Sequence, residues 1–242
     1  MAVAGATAQR IAVIAGGGSG IGQGTALRLA AEGWRVVLVG RDAGKLDRTV
    51  ATIAAARGAA AAFPGDVRDW DRMAQLGALV ESDGIDLLVN SAGGQFAKLA
   101  ADLSRNGWKA VVETNLDGAF FLARHLHAAL AKRQGSIVNL VANLWQKGAA
   151  TMAHSAAARA GVVNLTRTLA IEWAGEGIRV NAVSPGYIDT PALIDGFGAL
   201  IDTVPLKRIG TVDEVVDAIC YLAGARYVTG EVLTIDGGLQ LA

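Results

Sequence analysis

Several features are scarce in this chain of 242 residues, and each scarcity excludes a class of protein. The single cysteine, Cys220, excludes an internal disulfide, and no group of Cys and His residues has metal-ligand spacing. Lysine plus arginine and aspartate plus glutamate number 22 each, so the formal net charge is zero. No clustered basic tract occurs either, so neither a metal site nor a nucleic-acid partner is expected.

Long apolar runs are absent as well. No stretch of 18 uncharged apolar residues could cross a membrane, and the segment before Arg10 is too short and too weakly apolar for a signal peptide. Hydrophobic residues make up 52% of the chain and charged residues 18%, which is typical of a globular protein. We therefore expect a cytoplasmic protein without membrane contact, folded as one large domain over residues 1–242.

Short β-branched runs alternate with longer helical patterns along the chain. The alternation predicts a Rossmann-like, doubly wound α/β fold, with one parallel sheet of about seven strands and helices on both faces. Strands are predicted at 10–15, 35–39, 60–64, 85–90, 136–141, 178–184 and 232–235, and helices near 20–32, 43–57, 69–82, 107–133, 153–175 and 211–223. The segment 191–207 breaks the alternation and is predicted either as a substrate lid or as an ordinary surface helix and loop.

The first predicted strand runs directly into residues 16–22, where five of seven residues are glycine. A strand, a glycine turn and a helix N-terminus together form a cradle for phosphate. Gly16 permits the tight turn, Gly20 lets the backbone approach a pyrophosphate, and Gly22 lets helix and strand pack closely. Because this loop follows the first strand of an alternating chain, the sequence predicts a dinucleotide site rather than an ordinary turn.

The second predicted strand ends where the adenosine ribose of a dinucleotide would lie. Enzymes that prefer NAD usually carry Asp or Glu there, but this chain has Gly40 followed by Arg41. A guanidinium can bind a 2′-phosphate through paired hydrogen bonds, so NADP(H) is the predicted cofactor, with a solvated Arg41 as the alternative. Asp42 is predicted to cap the next helix.

Polar residues also follow the third and fourth predicted strands, at the sheet edge where ligands bind in such folds. Asp66 and Val67 follow the third strand, and Asn90 to Gly93 end the fourth. We expect Asp66 to reach the adenine edge and Asn90 and Gly93 to border the cofactor.

Taken in order, these landmarks resemble the short-chain dehydrogenase/reductase family over nearly the whole chain. The matching motifs are GGGSGIG (16–22), DV (66–67), NSAG (90–93), ETNLDG around Asn115, GSIVN (135–139), RAGVVNLTRTLAIEWA (159–174), IRVNAVSPGYIDT (178–190) and TGEVLTIDGG (229–238). The resemblance implies an oxidoreductase, assembled as a homotetramer, that acts on a small molecule. It also implies cofactor contacts from Ser19, Ile21, Pro185, Gly186, Ile188 and Thr190.

The family usually reduces a carbonyl with Ser, Tyr and Lys, and counting from the matching motifs puts Ala142, Ser155 and Arg159 at those positions. Arg159 can still donate to the ribose hydroxyls, but a guanidinium with a pKa above about 12 does not shuttle protons. Ser155 is a far weaker acid than an activated tyrosine. Ordinary ketone reduction should suffer, because a positioned acid contributes roughly 10²–10⁴-fold.

This departure resembles the branch of the family that contains peroxisomal trans-2-enoyl-CoA reductase and 2,4-dienoyl-CoA reductase. The resemblance is carried by AHSAAARAGVVNLTRTLAIEWA, NSAGG and SRNGWKAVVETNLDGAFF. It implies NADPH-dependent hydride transfer to an enoyl-CoA or similar activated double bond, with Asn115, Ser155 and Arg159 as the catalytic residues. Two alternatives stay open: a 3-oxoacyl-type ketone or alcohol enzyme with an atypical proton donor, and a catalytically silent NADP-binding regulator or scaffold.

Four further residues are candidates for the substrate side of the site. Asn143 could stabilise charge on a thioester oxygen, and Trp145 is expected to wall the pocket. His154 could supply a proton near neutral pH or merely flank its helix. Tyr187 could donate a proton or wall the pocket, so the sequence leaves the proton donor unassigned.

Overall fold

The computed structural model describes residues 9–191 and 201–241. One sheet of seven parallel strands runs in the order β3-β2-β1-β4-β5-β6-β7, with helices on both sides, which confirms the predicted fold. The strands are β1 (Ile11–Ala15), β2 (Arg35–Gly40), β3 (Ala59–Pro64), β4 (Leu87–Asn90), β5 (Ser136–Leu140), β6 (Arg179–Pro185) and β7 (Val232–Ile235). Within the described ranges the α-helices are α1 (Gly20–Ala31), α2 (Ala43–Ala55), α3 (Trp70–Glu81), α4 (Arg105–Val112), α5 (Gly118–Arg133), α6 (Ala153–Glu172) and α7 (Val212–Gly224).

The central strands are covered on both faces, which is why they read as unbroken apolar runs. Every residue of β1, β4 and β5 is buried. Successive side chains along a strand point to opposite faces, so Val13 packs into one hydrophobic layer and Ile14 into the other. The first layer includes residues of α3 and α5, and the second includes residues of α1, α2 and α7.

The chain changes direction across the sheet at β1. This strand pairs with β2 on one side and with β4 on the other, in a register that places Ala15 beside Asn90. Ligands of open α/β sheets bind in the crevice outside the carboxyl ends of the strands at such a switch point. A ligand site is therefore expected at the loops that follow β1 and β4.

The helical stretch predicted near 107–133 is helical throughout in the structure, but it contains one wider turn that the sequence did not indicate. Between α4 and α5 the chain makes a π-helical turn, Glu113–Asp117. Within it the side chain of Asn115 donates a hydrogen bond of 2.7 Å to the main-chain oxygen of Val111, one turn earlier. Such π-turns are frequent at functional sites, because they re-aim side chains within an otherwise regular helix.

Beneath the switch point, buried polar side chains form a chain of hydrogen bonds. Asn90 donates to Asn139 over 2.6 Å, Asn139 donates to Thr166 over 2.9 Å, and Thr166 donates to the main-chain oxygen of Val162 over 2.8 Å. These contacts join β4, β5 and α6 below the site.

Of the segment 191–207 that is predicted as a lid, residues 192–200 lie outside the described residues. Within the described ranges, no helix is both long and apolar enough to cross a membrane. The same ranges contain no group of His, Cys, Asp and Glu side chains arranged to hold a metal ion.

Candidate active site

The glycine turn after β1 has the geometry that its sequence predicts. Gly16 adopts a φ of +80° and Gly20 a φ of +53°, in the left-handed region that favours glycine. A Cβ on Gly16 would lie 2.8 Å from the main-chain carbonyl of Ser91, and one on Gly22 would overlap the carbonyl oxygen of Gly16. Turn, helix and the β4 loop therefore meet at a distance that excludes side chains.

The N-terminus of α1 differs from most of the other helices. Its N-cap residue, Ser19, makes no side-chain capping bond, and no acidic residue lies in its first turn. The helices α2, α3, α4 and α7 are instead capped by the side chains of Asp42, Asp69, Ser104 and Thr211. The first-turn N–H groups of α1 are thus left for a different acceptor, and an anion suits them. This cradle fits the diphosphate of a dinucleotide.

The segment after β6 approaches this turn. Gly186 donates from its main-chain nitrogen to Ile235 over 2.9 Å, and Ile188 forms an isolated bridge with Gly210. The methyl carbon of Thr190 lies 3.5 Å from the point where a Cβ on Gly20 would stand. The segment that contains Pro185, Gly186, Ile188 and Thr190 therefore reaches the glycine turn through Thr190.

At the end of β2 the structure agrees with part of the sequence prediction. Asp42 accepts a hydrogen bond of 3.0 Å from the main-chain nitrogen of Lys45, which confirms it as the cap of α2. Arg41 is exposed, and among the described residues it has no hydrogen-bond or ion-pair partner. A guanidinium free at this strand end can meet a phosphate.

The Asp66 carboxylate is held by a residue that the sequence analysis missed. Arg68 donates to it from its main-chain nitrogen at 3.0 Å, from Nε at 3.0 and 3.1 Å, and from Nη2 at 2.6 Å. The Arg68 hydrogen bond, and more weakly the charge of Arg41, keep the pKa of Asp66 below its usual value. The neighbouring Val67 is buried against the start of α5. The spacing of two residues between Asp66 and Arg68 is the only sequence signal for this pair.

The loop after β4, the π-turn and α6 converge at Gly93. A Cβ there would lie 2.5 Å from Oδ1 of Asn115 and 2.9 Å from Nη2 of Arg159. Asn115 also donates from Nδ2 to the main-chain oxygen of Gly94 over 2.9 Å. The structure therefore brings together Gly93, Asn115 and Arg159.

Ser155 and Arg159 lie one helical turn apart on the same side of α6. The Ser155 hydroxyl donates to Oε1 of Gln95 over 2.7 Å, and Nη1 of Arg159 donates to the main-chain oxygen of Leu140 over 2.6 Å. Nε of Arg159 is buried without a partner, and desolvation lowers the pKa of the guanidinium to about 10. Arg159 thus remains a cation at neutral pH. Gln95 was not identified from the sequence, because only the tertiary fold brings its exposed loop to α6.

Three of the four substrate-side candidates, Asn143, Trp145 and His154, lie in the loop after β5 and at the start of α6, whereas Tyr187 follows β6. Trp145 donates from Nε1 to the Ser184 hydroxyl over 3.2 Å, and the main-chain oxygen of Asn143 accepts from Gln240 over 3.3 Å. His154 is fully buried, and its Nδ1 accepts a hydrogen bond of 2.8 Å from the main-chain nitrogen of Ser155.

The two candidate proton donors differ in access. The His154 ring packs edge-on against Phe96 at 4.6 Å, and its Nε2 is covered without a hydrogen-bond partner. That position favours the structural interpretation of His154 over direct proton transfer. Tyr187 follows Gly186 and is half-buried, and its main-chain oxygen accepts from Gly210 over 2.8 Å. Its side chain lines a surface cavity with Ile188.

Comparison with known proteins gives one consistent result. Residues 15–240 match the family model described as "Enoyl-(Acyl carrier protein) reductase". The "Probable 2,4-dienoyl-CoA reductase [(2E)-enoyl-CoA-producing]" of Bacillus subtilis is 39% identical, over 96% of this chain and 97% of the relative. A 3-oxoacyl-[acyl-carrier-protein] reductase of Synechocystis is 36% identical, over 97% of this chain and 98% of the relative.

Solved structures agree with these relatives. The citronellol catabolism dehydrogenase of Pseudomonas aeruginosa superposes with a TM-score of 0.86 at 41% identity, covering 96% of this chain and 95% of that one. An actinorhodin polyketide ketoreductase, solved with NADPH, superposes with a TM-score of 0.91 at 33% identity, covering 97% and 98%. With the fold, the glycine turn and these matches along nearly its full length, the chain belongs to the short-chain dehydrogenase/reductase family of oxidoreductases.

Proposed function

We propose that this protein is an NADPH-dependent reductase of an enoyl-CoA or a similarly activated carbon–carbon double bond. The observation that carries the proposal is the pair on α6. Ser155 and Arg159 stand where the family resemblance places Tyr and Lys, and both act as hydrogen-bond donors. The loop after β4 lies close to the glycine turn at Ser91 and to Arg159 at Gly93. The site thus keeps the means to orient a cofactor and to stabilise negative charge, but lacks the usual acid.

That combination suits the reduction of a conjugated thioester better than that of an isolated ketone. When bound, the cofactor supplies a hydride, which would add to the β-carbon of the substrate. Negative charge then gathers on the thioester oxygen, which needs hydrogen-bond donors before any proton is added. The Ser155 side chain is fully buried and its hydroxyl donates to Gln95, so the hydroxyl can provide such a hydrogen bond once the exposed Gln95 side chain moves away.

Arg159 has a different task in this proposal. Its guanidinium is a cation with a side chain held between β5 and the Gly93 loop, and its second terminal nitrogen lies close to Gly93. It can donate to ribose hydroxyls and so fix the orientation of the cofactor. The proton for the α-carbon can come from water, because residues 93–96 are exposed and leave this side of the site open.

The preference for NADPH rests on the end of β2. Gly40 provides no carboxylate to repel a 2′-phosphate, and the exposed Arg41 provides a cation that can bind it. The relative solved with NADPH supports the choice of cofactor, and the Bacillus relative named as a dienoyl-CoA reductase supports the choice of substrate.

A second candidate function is reduction of a 3-oxoacyl thioester, favoured by the Synechocystis relative. Oxidation of NADPH at 340 nm distinguishes the two, with crotonyl-CoA, 2,4-hexadienoyl-CoA and acetoacetyl-CoA as substrates. We expect turnover of one or both unsaturated thioesters and little of acetoacetyl-CoA. The opposite order favours the 3-oxoacyl function, and tight NADPH binding without any turnover favours a silent binding protein.

The variant Ser155→Ala tests the proposed role of the hydroxyl. It should lower kcat on the unsaturated thioester by about 10²-fold, as loss of one oxyanion donor does elsewhere, and leave the Kd for NADPH within about twofold. Thr168→Ala removes an exposed hydroxyl from the same helix and is the matched control. Full activity in Ser155→Ala would remove Ser155 from the mechanism.

A further inference from the structure

The adenosine end of the proposed cofactor site contains two arginines and one aspartate. Asp66 accepts four hydrogen bonds from Arg68, three of them from the guanidinium, so most of its acceptor capacity is used. Both side chains remain partly exposed, at 26% for Asp66 and 36% for Arg68. The pair therefore lies at the surface, where a ligand can reach it.

Gly40 pairs with Pro64 at the ends of β2 and β3, and the main-chain nitrogen of Gly65 donates to the Gly40 oxygen over 2.9 Å. Arg41 and Asp66 therefore follow neighbouring strand ends, and the charge of Arg41 contributes to the lowered pKa of the Asp66 carboxyl. Within the described ranges, however, no ion pair or hydrogen bond joins the two side chains. A carboxylate competes directly with a phosphate for a guanidinium, so an Asp66 carboxylate without Arg68 would be available to pair with Arg41. Because Arg68 already hydrogen-bonds the Asp66 carboxylate, Asp66 competes less with a phosphate for Arg41.

We propose that Arg68 is a positioning residue for cofactor specificity: by occupying Asp66, it keeps the Arg41 guanidinium available for the 2′-phosphate of NADPH. The inference rests on the proposed function and goes beyond it, because Arg68 acts without touching the phosphate. It predicts that the contribution of Arg41 to the choice between NADPH and NADH depends on Arg68, and that this dependence passes through Asp66.

The test is a double-mutant cycle read by nucleotide binding, which needs no substrate. The Kd values of NADPH and NADH are measured by titration calorimetry for the unaltered protein, Arg68→Met, Asp66→Asn and the double variant. The readout is the ratio of the NADH Kd to the NADPH Kd, because any adenine contact of Asp66 is common to both nucleotides and cancels.

We expect Arg68→Met to lower this ratio by two- to fivefold, the range of an exposed ion pair. Asp66→Asn should change the ratio little when Arg68 is present, but should restore it when Arg68 is replaced. An unchanged ratio in Arg68→Met overturns the inference. An equal effect of Asp66→Asn in both backgrounds also overturns it, since only long-range charge would then be acting.

Two further variants separate this inference from the proposed function. Arg41→Met should lower the ratio by tenfold or more; if it does and Arg68→Met does not, only the role of Arg68 fails. If Arg41→Met leaves the ratio unchanged, the proposed phosphate site itself fails. Arg35→Met is the matched control, because Arg35 pairs with Asp83 at the opposite end of β2. It lies roughly 20 Å from Arg41 along the strand, well beyond the screening length of about 8 Å at physiological salt.

Discussion

The guanidinium of Arg159 donates a hydrogen bond of 2.6 Å to the main-chain oxygen of Leu140, and so ties α6 to the carboxyl end of β5. The same side chain has a buried Nε without a partner. One contact therefore stabilises the folded chain while a neighbouring nitrogen opposes it. Because these two effects oppose each other, the Arg159 side chain adds little net stability, which supports its proposed role in binding the cofactor.

Replacement of Arg159 by Met should separate these two contributions. Orphaning the Leu140 oxygen costs about 1–3 kcal/mol, but removal of the unpartnered Nε offsets much of that cost. We expect the free energy of unfolding in urea to change by less than about 1 kcal/mol, and the affinity for NADPH to fall at least tenfold. Arg124→Met, at an exposed position on α5, is the control for charge removal. A large loss of stability with unchanged NADPH affinity would assign Arg159 a structural role.

A pair of adjacent glycines offers a sharper test of the site. In Gly93→Ala the new methyl group would meet Asn115 and Arg159 at 2.5 and 2.9 Å, so both side chains must move. In Gly94→Ala the methyl group would have nothing within 4 Å. We expect the first variant to lose at least 10²-fold in kcat/KM and the second to stay within threefold, by the 340 nm assay. Similar activities for the two variants would show that the junction at Gly93 is not needed for catalysis.

Replacement of Gly40 and Arg41 at the end of β2 should change the cofactor preference. In Gly40→Asp/Arg41→Ser, a carboxylate replaces the free guanidinium and can accept hydrogen bonds from an unmodified 2′-hydroxyl. A Cβ on Gly40 would lie 3.3 Å from Cδ2 of the buried Leu46, so the substitution requires Leu46 to move by a few tenths of an ångström. We expect kcat/KM to fall with NADPH and rise with NADH, reversing the ratio. An unchanged ratio would remove Arg41 from phosphate recognition.

Acid stability should depend on Glu214 at the start of α7. Arg208 and the main-chain nitrogen of Thr211 hydrogen-bond its carboxylate and lower its pKa from 4.5 to about 2. A carboxyl whose pKa is depressed on folding adds stability above its unfolded pKa, and this is lost as the pH falls through the folded value. Urea midpoints should therefore decline between about pH 4.5 and 2 less steeply in Glu214→Gln than in the unaltered protein. Asp213→Asn, in the same helical turn, is the control and should not flatten the curve.

The local sequence pattern was sufficient to predict the seven strands and the glycine turn. The alternation of β-branched and helical segments predicted all seven strands, and the Asp42 cap followed from one residue type before a helix. The π-turn at Asn115 was not predictable in this way, because helix propensity is the same for one continuous helix and for one with a single wider turn.

The contacts of the site depended on tertiary structure to different degrees. Gly93, Asn115 and Arg159 come from three separate elements, and each was predicted as a site residue from its own family motif, whereas their mutual contact required the structure. Gln95 escaped notice because it pairs with Ser155 across 60 residues of sequence. The Arg68–Asp66 pair was not predicted for the opposite reason. An arginine two residues from an aspartate is common on protein surfaces, so the sequence alone does not show that the two side chains are paired.

The hydrogen bond between Asn90 and Asn139 has a consequence for how the sheet assembles. These two residues are direct neighbours in the pairing of β4 with β5, and both are buried. A shift of one residue in the pairing of β4 with β5 would turn one amide to the opposite face of the sheet. Both amides would then be buried among apolar side chains, at a cost of about 1–3 kcal/mol for each lost hydrogen-bond partner. The Asn90–Asn139 pair therefore favours one register of β4 against β5, which the surrounding valines and leucines alone would not specify. That register places the carboxyl ends of the two strands side by side at the proposed ligand site.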